Sequence, residues 1–125
     1  GRRLAWHPSS SSGLFVGGYP ERTDKLQVAS IGLEPQWLSD TELVYRSGVT
    51  WYLARFDART GELTAPPRQW AIDPQFLDTP GWSNRRTHDG GILYAQILPV
   101  APARFVRFIP DFAARVRAAV RDAER

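Results

Sequence analysis

One pattern recurs three times along this chain: a tryptophan, a polar turn, then a short apolar run of strand-forming residues. It appears as Leu4-Ala5-Trp6-His7-Pro8, Ser9 to Gly13 and Leu14-Phe15-Val16. It returns as Pro35-Gln36-Trp37, Leu38 to Asp40 and Glu42-Leu43-Val44-Tyr45. The third instance is Pro80-Gly81-Trp82, Ser83 to Gly91 and Ile92-Leu93-Tyr94-Ala95. The tryptophans are 31 and 45 positions apart, and the variation falls in the connections. A repeat of about 40 to 50 residues is what a four-stranded propeller blade needs. A small sheet cannot bury both faces alone, so such units stack, with Trp and aliphatic side chains filling the wedge between them. An antiparallel barrel or sandwich would draw on the same composition, and the residues alone leave it open.

The strands read most clearly in the middle unit. Leu43 to Arg46 is short and β-prone, and Ser47-Gly48-Val49 predicts a tight hairpin turn. Thr50 to Asp57 alternates, with Trp51, Leu53 and either Ala54 or Phe56 as its apolar members. Ala58 to Glu62 is a turn, and Leu63 to Ile72 is expected as an outer strand. Its Pro66 and Pro67 have no N–H for a ladder, so they belong at an edge or before the strand proper. In the first unit Leu14 to Gly18 and Lys25 to Ile31 are expected as strands around a Tyr19-Pro20 break and a polar turn, Glu21 to Asp24. Asp73 to Thr79 is a loop anchored by Phe76 and Leu77. Ile92 to Leu98 and Ala103 to Ile109 are the strands of the third unit, with a Pro99 to Pro102 break between them. The expected organisation is therefore all-β: about three antiparallel units near 4–32, 33–73 and 80–109.

After Ile109 the period changes. Phe112, Val116 and Val120 recur at helical spacing, with Ala113, Ala119 and Ala123 on or near their stripe and Arg115, Arg117, Arg121 and Arg125 elsewhere. This predicts a short amphipathic helix over 110–123. Pro110 suits the first helical position, where its missing N–H costs nothing. Asp111 in the first turn and Arg125 at the end would complement the helix dipole.

Composition narrows the function classes. The 125 residues are 42% hydrophobic and 23% charged, within the globular range. Net charge is +3, Lys25 is the only lysine, and the arginines are scattered except in the last segment. Nucleic-acid binding wants a clustered basic face with interleaved aromatics, which this pattern lacks. With no cysteine there is neither a disulfide framework nor a thiolate metal site. No apolar run approaches the roughly 20 residues of a membrane-spanning helix. The chain has no Met and begins at Gly1, so a fragment or processed product is expected.

The chemistry-bearing residues read as turn chemistry. His7 and His88 are the only histidines, and His88-Asp89 sits in a Gly-bounded turn without the convergent ligands a metal needs. Gly81-Trp82-Ser83-Asn84-Arg85 is not a Gly-x-Ser-x-Gly elbow, and kinase motifs are absent. Gly17-Gly18 lacks the Gly-Lys of a P-loop, and no cofactor-binding motif occurs. Glu34, Asp40 and Glu42 cluster at one turn, where carboxylates are ordinarily solvated, although a pair could do acid–base work. Arg85-Arg86 reads as a solvated loop tip, with anion binding as the competing reading. The helix arginines read as its wet face.

Glu34-Pro35-Gln36-Trp37, followed by Leu43-Val44-Tyr45-Arg46-Ser47-Gly48, resembles the blade repeat of TolB-like propellers, roughly E-P-x-W-S-P-D-G-x-x-L-x-Y-x-S. Asp89-Gly90-Gly91-Ile92-Leu93-Tyr94 resembles a final blade. Phe105 to Ile109 and the segment from Pro110 resemble its closing strand and terminal helix. Trp37 is followed by Leu38-Ser39-Asp40 without the usual Pro and Gly, which shortens that turn. The resemblance implies blades like those at the C-terminus of bacterial multidomain serine/threonine kinases, where the propeller lies outside the membrane, hence a periplasmic or extracytoplasmic setting.

It further implies a non-enzymatic recognition or scaffolding module that binds a protein, peptide or small ligand through loops. The stretch Asn84 to Asp89 is the expected binding loop. The alternative is the propeller portion of a prolyl-oligopeptidase-type hydrolase, whose catalytic domain would have to follow. Three units also leave open sheet edges, which invite self-association.

Overall fold

The structure, a computed structural model, describes residues 3–7, 13–18, 25–48, 50–70, 84–97 and 104–124. The described residues form antiparallel sheets and one helix. The chain divides into two compact units, Gly1–Gln69 and Trp70–Arg125.

The first unit opens with a three-stranded meander: β1 (Arg3–Trp6), β2 (Leu14–Gly18) and β3 (Leu26–Ala29), in that order. Because side chains alternate across a strand, Leu14 and Val16 face one way and Phe15 the other. Trp6 pairs with Phe15 across the β1–β2 ladder, and their rings stack at 6.2 Å.

Four strands follow in chain order: β4 (Leu33–Ser39), β5 (Glu42–Ser47), β6 (Thr50–Arg55) and β7 (Arg68–Trp70). Ser47 pairs with Thr50, and Gly48 lies in the turn of the β5–β6 hairpin. Gly48 supplies the positive φ, 63°, that two-residue hairpin turns demand. One face of this sheet meets the first meander. Leu14, Val16 and Val28 form a single apolar cluster with Leu43, Tyr45, Ala54 and Phe56. The alternate residues Val44, Trp51 and Leu53 are also fully buried. Apolar residues on both faces of β5 and β6 are thus buried, and both Ala54 and Phe56 prove to be apolar members.

Three expectations change here. First, β4 runs through Pro35 and Trp37, which read as the lead-in to a turn. Pro35 is tolerated because β4 is an edge strand and because the ladder is irregular between Leu33 and Gln36. Secondly, the outer strand expected over Leu63 to Ile72 is reduced to a single Phe56–Leu63 bridge and the three-residue β7. Residues 64–66 bend, and the ladder resumes only after Pro66 and Pro67, which lack the N–H it requires. Thirdly, Asn84–Arg86 is not a loop tip. It is β8, paired with Ile92 to Tyr94.

The second unit holds a meander of β8, β9 (Ile92–Ile97) and β10 (Arg104–Ile109), with β9 in the centre. Helix α1 spans Phe112–Ala123 and buries Phe112, Val116 and Val120, the stripe read from the sequence. Its start differs from expectation. Pro110 lies in a turn before the helix, and Asp111 is the residue before the first helical one, at φ 49°. Asp111 in that left-handed conformation makes no side-chain cap, and the first turn holds no acidic residue. The Phe112 N–H instead donates to the Gly90 carbonyl at 2.9 Å. Arg121 is the basic residue of the last turn. Trp82, Arg125, the 73–79 loop and the breaks at 19–24 and 99–102 lie outside the described residues.

Candidate functional site

The end of β4 lines a concave pocket that combines apolar, cationic and carboxylate side chains. Arg3, Trp37, Leu38, Ser39 and Asp40 line a pocket of about 260 Å³. β4 and β5 are joined by the tight Asp40-Thr41 turn, which follows directly on the Ser39–Glu42 pair. The Ser39 hydroxyl donates to the Glu42 carboxylate at 3.0 Å and accepts the Thr41 N–H at 3.3 Å, so the turn is braced from inside. Trp37 packs against Phe56 with ring centroids 5.8 Å apart. Arg3 comes from β1, and its guanidinium lies 4.9 Å from the centre of the same Phe56 ring. One phenyl ring therefore positions both the indole wall and the cationic rim.

The three carboxylates that read as a cluster are not together. Leu33 pairs with Arg46 at one end of β4, and Ser39 pairs with Glu42 at the other. Glu34 belongs to the first end. It takes φ 55° and reaches Arg46, whose Nε and Nη2 donate to its carboxylate at 3.3 and 3.4 Å. Arg46 is 7% exposed and also donates to the Gly48 carbonyl at 2.6 Å. Burial pushes the Glu34 carboxyl above its ordinary value, and Arg46 offsets only part of that rise. Glu42 serves Ser39 and faces Arg55 at 3.8 Å. Asp40 is exposed on the pocket rim. These placements give no proton-sharing pair.

The other polar candidates close turns. The Asp57 carboxylate accepts the N–H groups of Arg59 and Thr60 at 2.8 and 2.9 Å, which holds it below its ordinary value. Gly61, at φ 77°, completes this turn, and its N–H donates to the Asp57 carbonyl. Asp89 likewise accepts the Thr87 hydroxyl and is held low. The Gly91 N–H donates to that same hydroxyl at 3.0 Å. Tyr45 is stacked on Tyr52 at 5.5 Å and is pushed up to about 12 by burial, so its hydroxyl stays protonated at physiological pH.

The stretch expected to bind, Asn84 to Asp89, is therefore a strand followed by a self-bonded turn. His7 and His88 are both exposed, in separate units. Among the described residues no three His, Asp or Glu side chains gather as a metal would require. Among them, too, no helix is long and apolar enough to cross a membrane. Sequence reading missed the pocket, because Arg3 joins it only through the packing of β1 on Phe56. The juxtaposed Trp37-Leu38-Ser39-Asp40 was the available signal. No protein-family model, curated protein or solved structure matches this chain.

Proposed function

We propose that this chain is a non-enzymatic recognition module that binds a protein or peptide partner, and that its meanders are blades of a TolB-like propeller. The blade reading is supported by the buried apolar side chains on both faces of β5 and β6, since stacked blades carry apolar residues on both faces of each sheet. Fold alone does not assign a function. The observation that carries the binding reading is the Trp37 pocket, set on a braced turn, while Glu34, Glu42, Asp57 and Asp89 are each held by local partners.

Trp and Arg are the residues that most often anchor protein interfaces. A turn whose geometry is already fixed gives up little freedom on binding. Catalysis would instead require convergent groups with shifted acidity in one cleft. Selection of a displayed random peptide library on the whole chain tests the proposal. An enriched motif that binds the purified chain and is recovered uncleaved is the expected result. A library that enriches nothing above background, or peptides that are hydrolysed, would overturn it.

A further inference from the structure

We propose that Asp89-Gly90 is a self-modification site, which converts to isoaspartate when the turn from Thr87 to Gly91 opens and is restrained while that turn is closed. Sequence is the first argument. Asp89-Gly90 is the only Asp-Gly pair in the chain, and no Asn-Gly pair occurs. Glycine has no side chain to shield its amide nitrogen, so that nitrogen can approach the preceding side chain. Asp89 is exposed and Gly90 is half-buried. Among the described residues beyond its chain neighbours, no atom stands within 4 Å of where a Gly90 Cβ would lie.

The chemistry needs no other molecule than water. The Gly90 nitrogen loses its proton and bonds to Asp89 Cγ, and the carboxyl OH leaves with that proton as water. The product is a cyclic imide, and no atom is oxidised or reduced. Water then reopens the imide at either carbonyl carbon. Opening at Cγ restores aspartate. Opening at the main-chain carbonyl routes the backbone through the side chain, which is isoaspartate.

The closed turn opposes this step at both reacting groups. The peptide unit is planar, so the nitrogen reaches Cγ only by rotation about the Asp89 Cα–C and Cα–Cβ bonds. The Gly90 N–H donates to the Thr87 carbonyl at 3.2 Å, which restrains the first rotation. The Asp89 carboxylate accepts the Thr87 hydroxyl, which restrains the second. That hydroxyl also accepts the Gly91 N–H at 3.0 Å, and the Thr87 N–H donates to the Gly91 carbonyl at 3.0 Å. Thr87 thus holds the nucleophile by its carbonyl and the electrophile by its hydroxyl. Acidity acts in the same direction. The carboxyl reacts as the neutral acid, and the Thr87 hydroxyl holds Asp89 below its ordinary value, so less of that acid is present at a given pH. The modification has a structural consequence. The Phe112 N–H donates to the Gly90 carbonyl at 2.9 Å, and Asp111 makes no side-chain cap. Isoaspartate adds a backbone carbon just before Gly90 and displaces the acceptor on which helix α1 starts.

The test ages the whole chain in mildly acidic buffer, with and without concentrated urea, and measures isoaspartate at Asp89 by peptide mapping with electron-transfer fragmentation. The folded chain is expected to isomerise many-fold more slowly than the chain in urea. Thr87→Val removes the hydroxyl and is expected to isomerise several-fold faster than the parent while still folded by circular dichroism. Thr87→Ser keeps the hydroxyl and is expected to match the parent. Should Thr87→Val not fold, the comparison with urea decides alone. The isoaspartate form of the parent is expected to show several-fold faster amide exchange in the first turn from Phe112. Equal rates with and without urea, or a folded Thr87→Val no faster than Thr87→Ser, would overturn the restraint. Unchanged exchange at Phe112 in the isoaspartate form would overturn its link to the helix.

Discussion

Arg46 holds Glu34 by two guanidinium hydrogen bonds, of 3.3 and 3.4 Å, across the β4–β5 ladder. The pair lies at one of the two points where β4 departs from regular pairing, between Leu33 and Gln36. Glu34 sits there at φ 55°, a conformation that costs a non-glycine residue about 1 kcal/mol or more. Glu34→Ala keeps that strain and leaves a nearly buried guanidinium with only the Gly48 carbonyl of these partners, so it is expected to destabilise the chain by about 2 kcal/mol. Glu34→Gly loses the same pair but removes the strain, and is expected to cost about 1 kcal/mol less than the alanine variant. Urea denaturation of both variants checks the order.

Acidity gives a second test, with opposite signs at two kinds of site. Glu34 is raised, so its contribution to stability is full below the ordinary 4.5 and is lost as pH rises through its folded value. Asp57 and Asp89 are lowered, so theirs is present above 3.8 and is lost as pH falls through their folded values. Melting temperatures from pH 2 to 8 should show that Asp57→Asn flattens the acid limb. Glu34→Gln should remove a decline on the rising side of pH 4.5. The reverse assignment of the two limbs would contradict these placements.

Gly91 lies against the end of β10. A Cβ there would overlap the Phe108 ring and stand 2.9 Å from the Ile109 carbonyl oxygen. The ring has room to turn aside because Phe108 is half exposed, but the carbonyl belongs to the strand. Gly91→Ala is therefore expected to cost about 1–3 kcal/mol, the range for forced overpacking. Adding Phe108→Ala should recover only part of that loss, as measured by the same denaturation curves.

Phe112 anchors helix α1. It is fully buried, and its ring meets Trp70 edge-on with centroids 5.8 Å apart. Phe112→Ala is expected to cost about 3 kcal/mol. Faster amide exchange across Phe112–Ala123 should accompany the loss. Asp111→Gly, which relieves a left-handed residue that caps nothing, is expected to be neutral or stabilising.

The strands richest in β-branched and aromatic residues were legible in the sequence, as was the helix, because their burial follows one period. Leu43 to Tyr45 and the stripe Phe112, Val116, Val120 are the clearest cases. The first strand of each meander was not legible. Arg3–Trp6 is short, Leu33–Ser39 contains Pro35, and Asn84–Arg86 is wholly polar. Each is paired to its meander from one side, at the sheet edge, where ladder partners matter more than the strand's own propensity. The site was legible only in part. Trp37 to Asp40 are consecutive, but Arg3 arrives through a contact with Phe56 more than fifty positions away in the chain. Carboxylates close in sequence were a poor guide, since the length of β4 separates Glu34, near its start, from Glu42, which pairs with its last residue.

The central claim is recognition at the Trp37 pocket, and intermolecular NMR contacts with a library-selected peptide test it most directly. Contacts from the bound peptide to the Trp37 indole and the Leu38 methyls are expected, with none to the Thr87 to Gly91 turn. Contacts confined to that turn, or to the sheet edges, would contradict it.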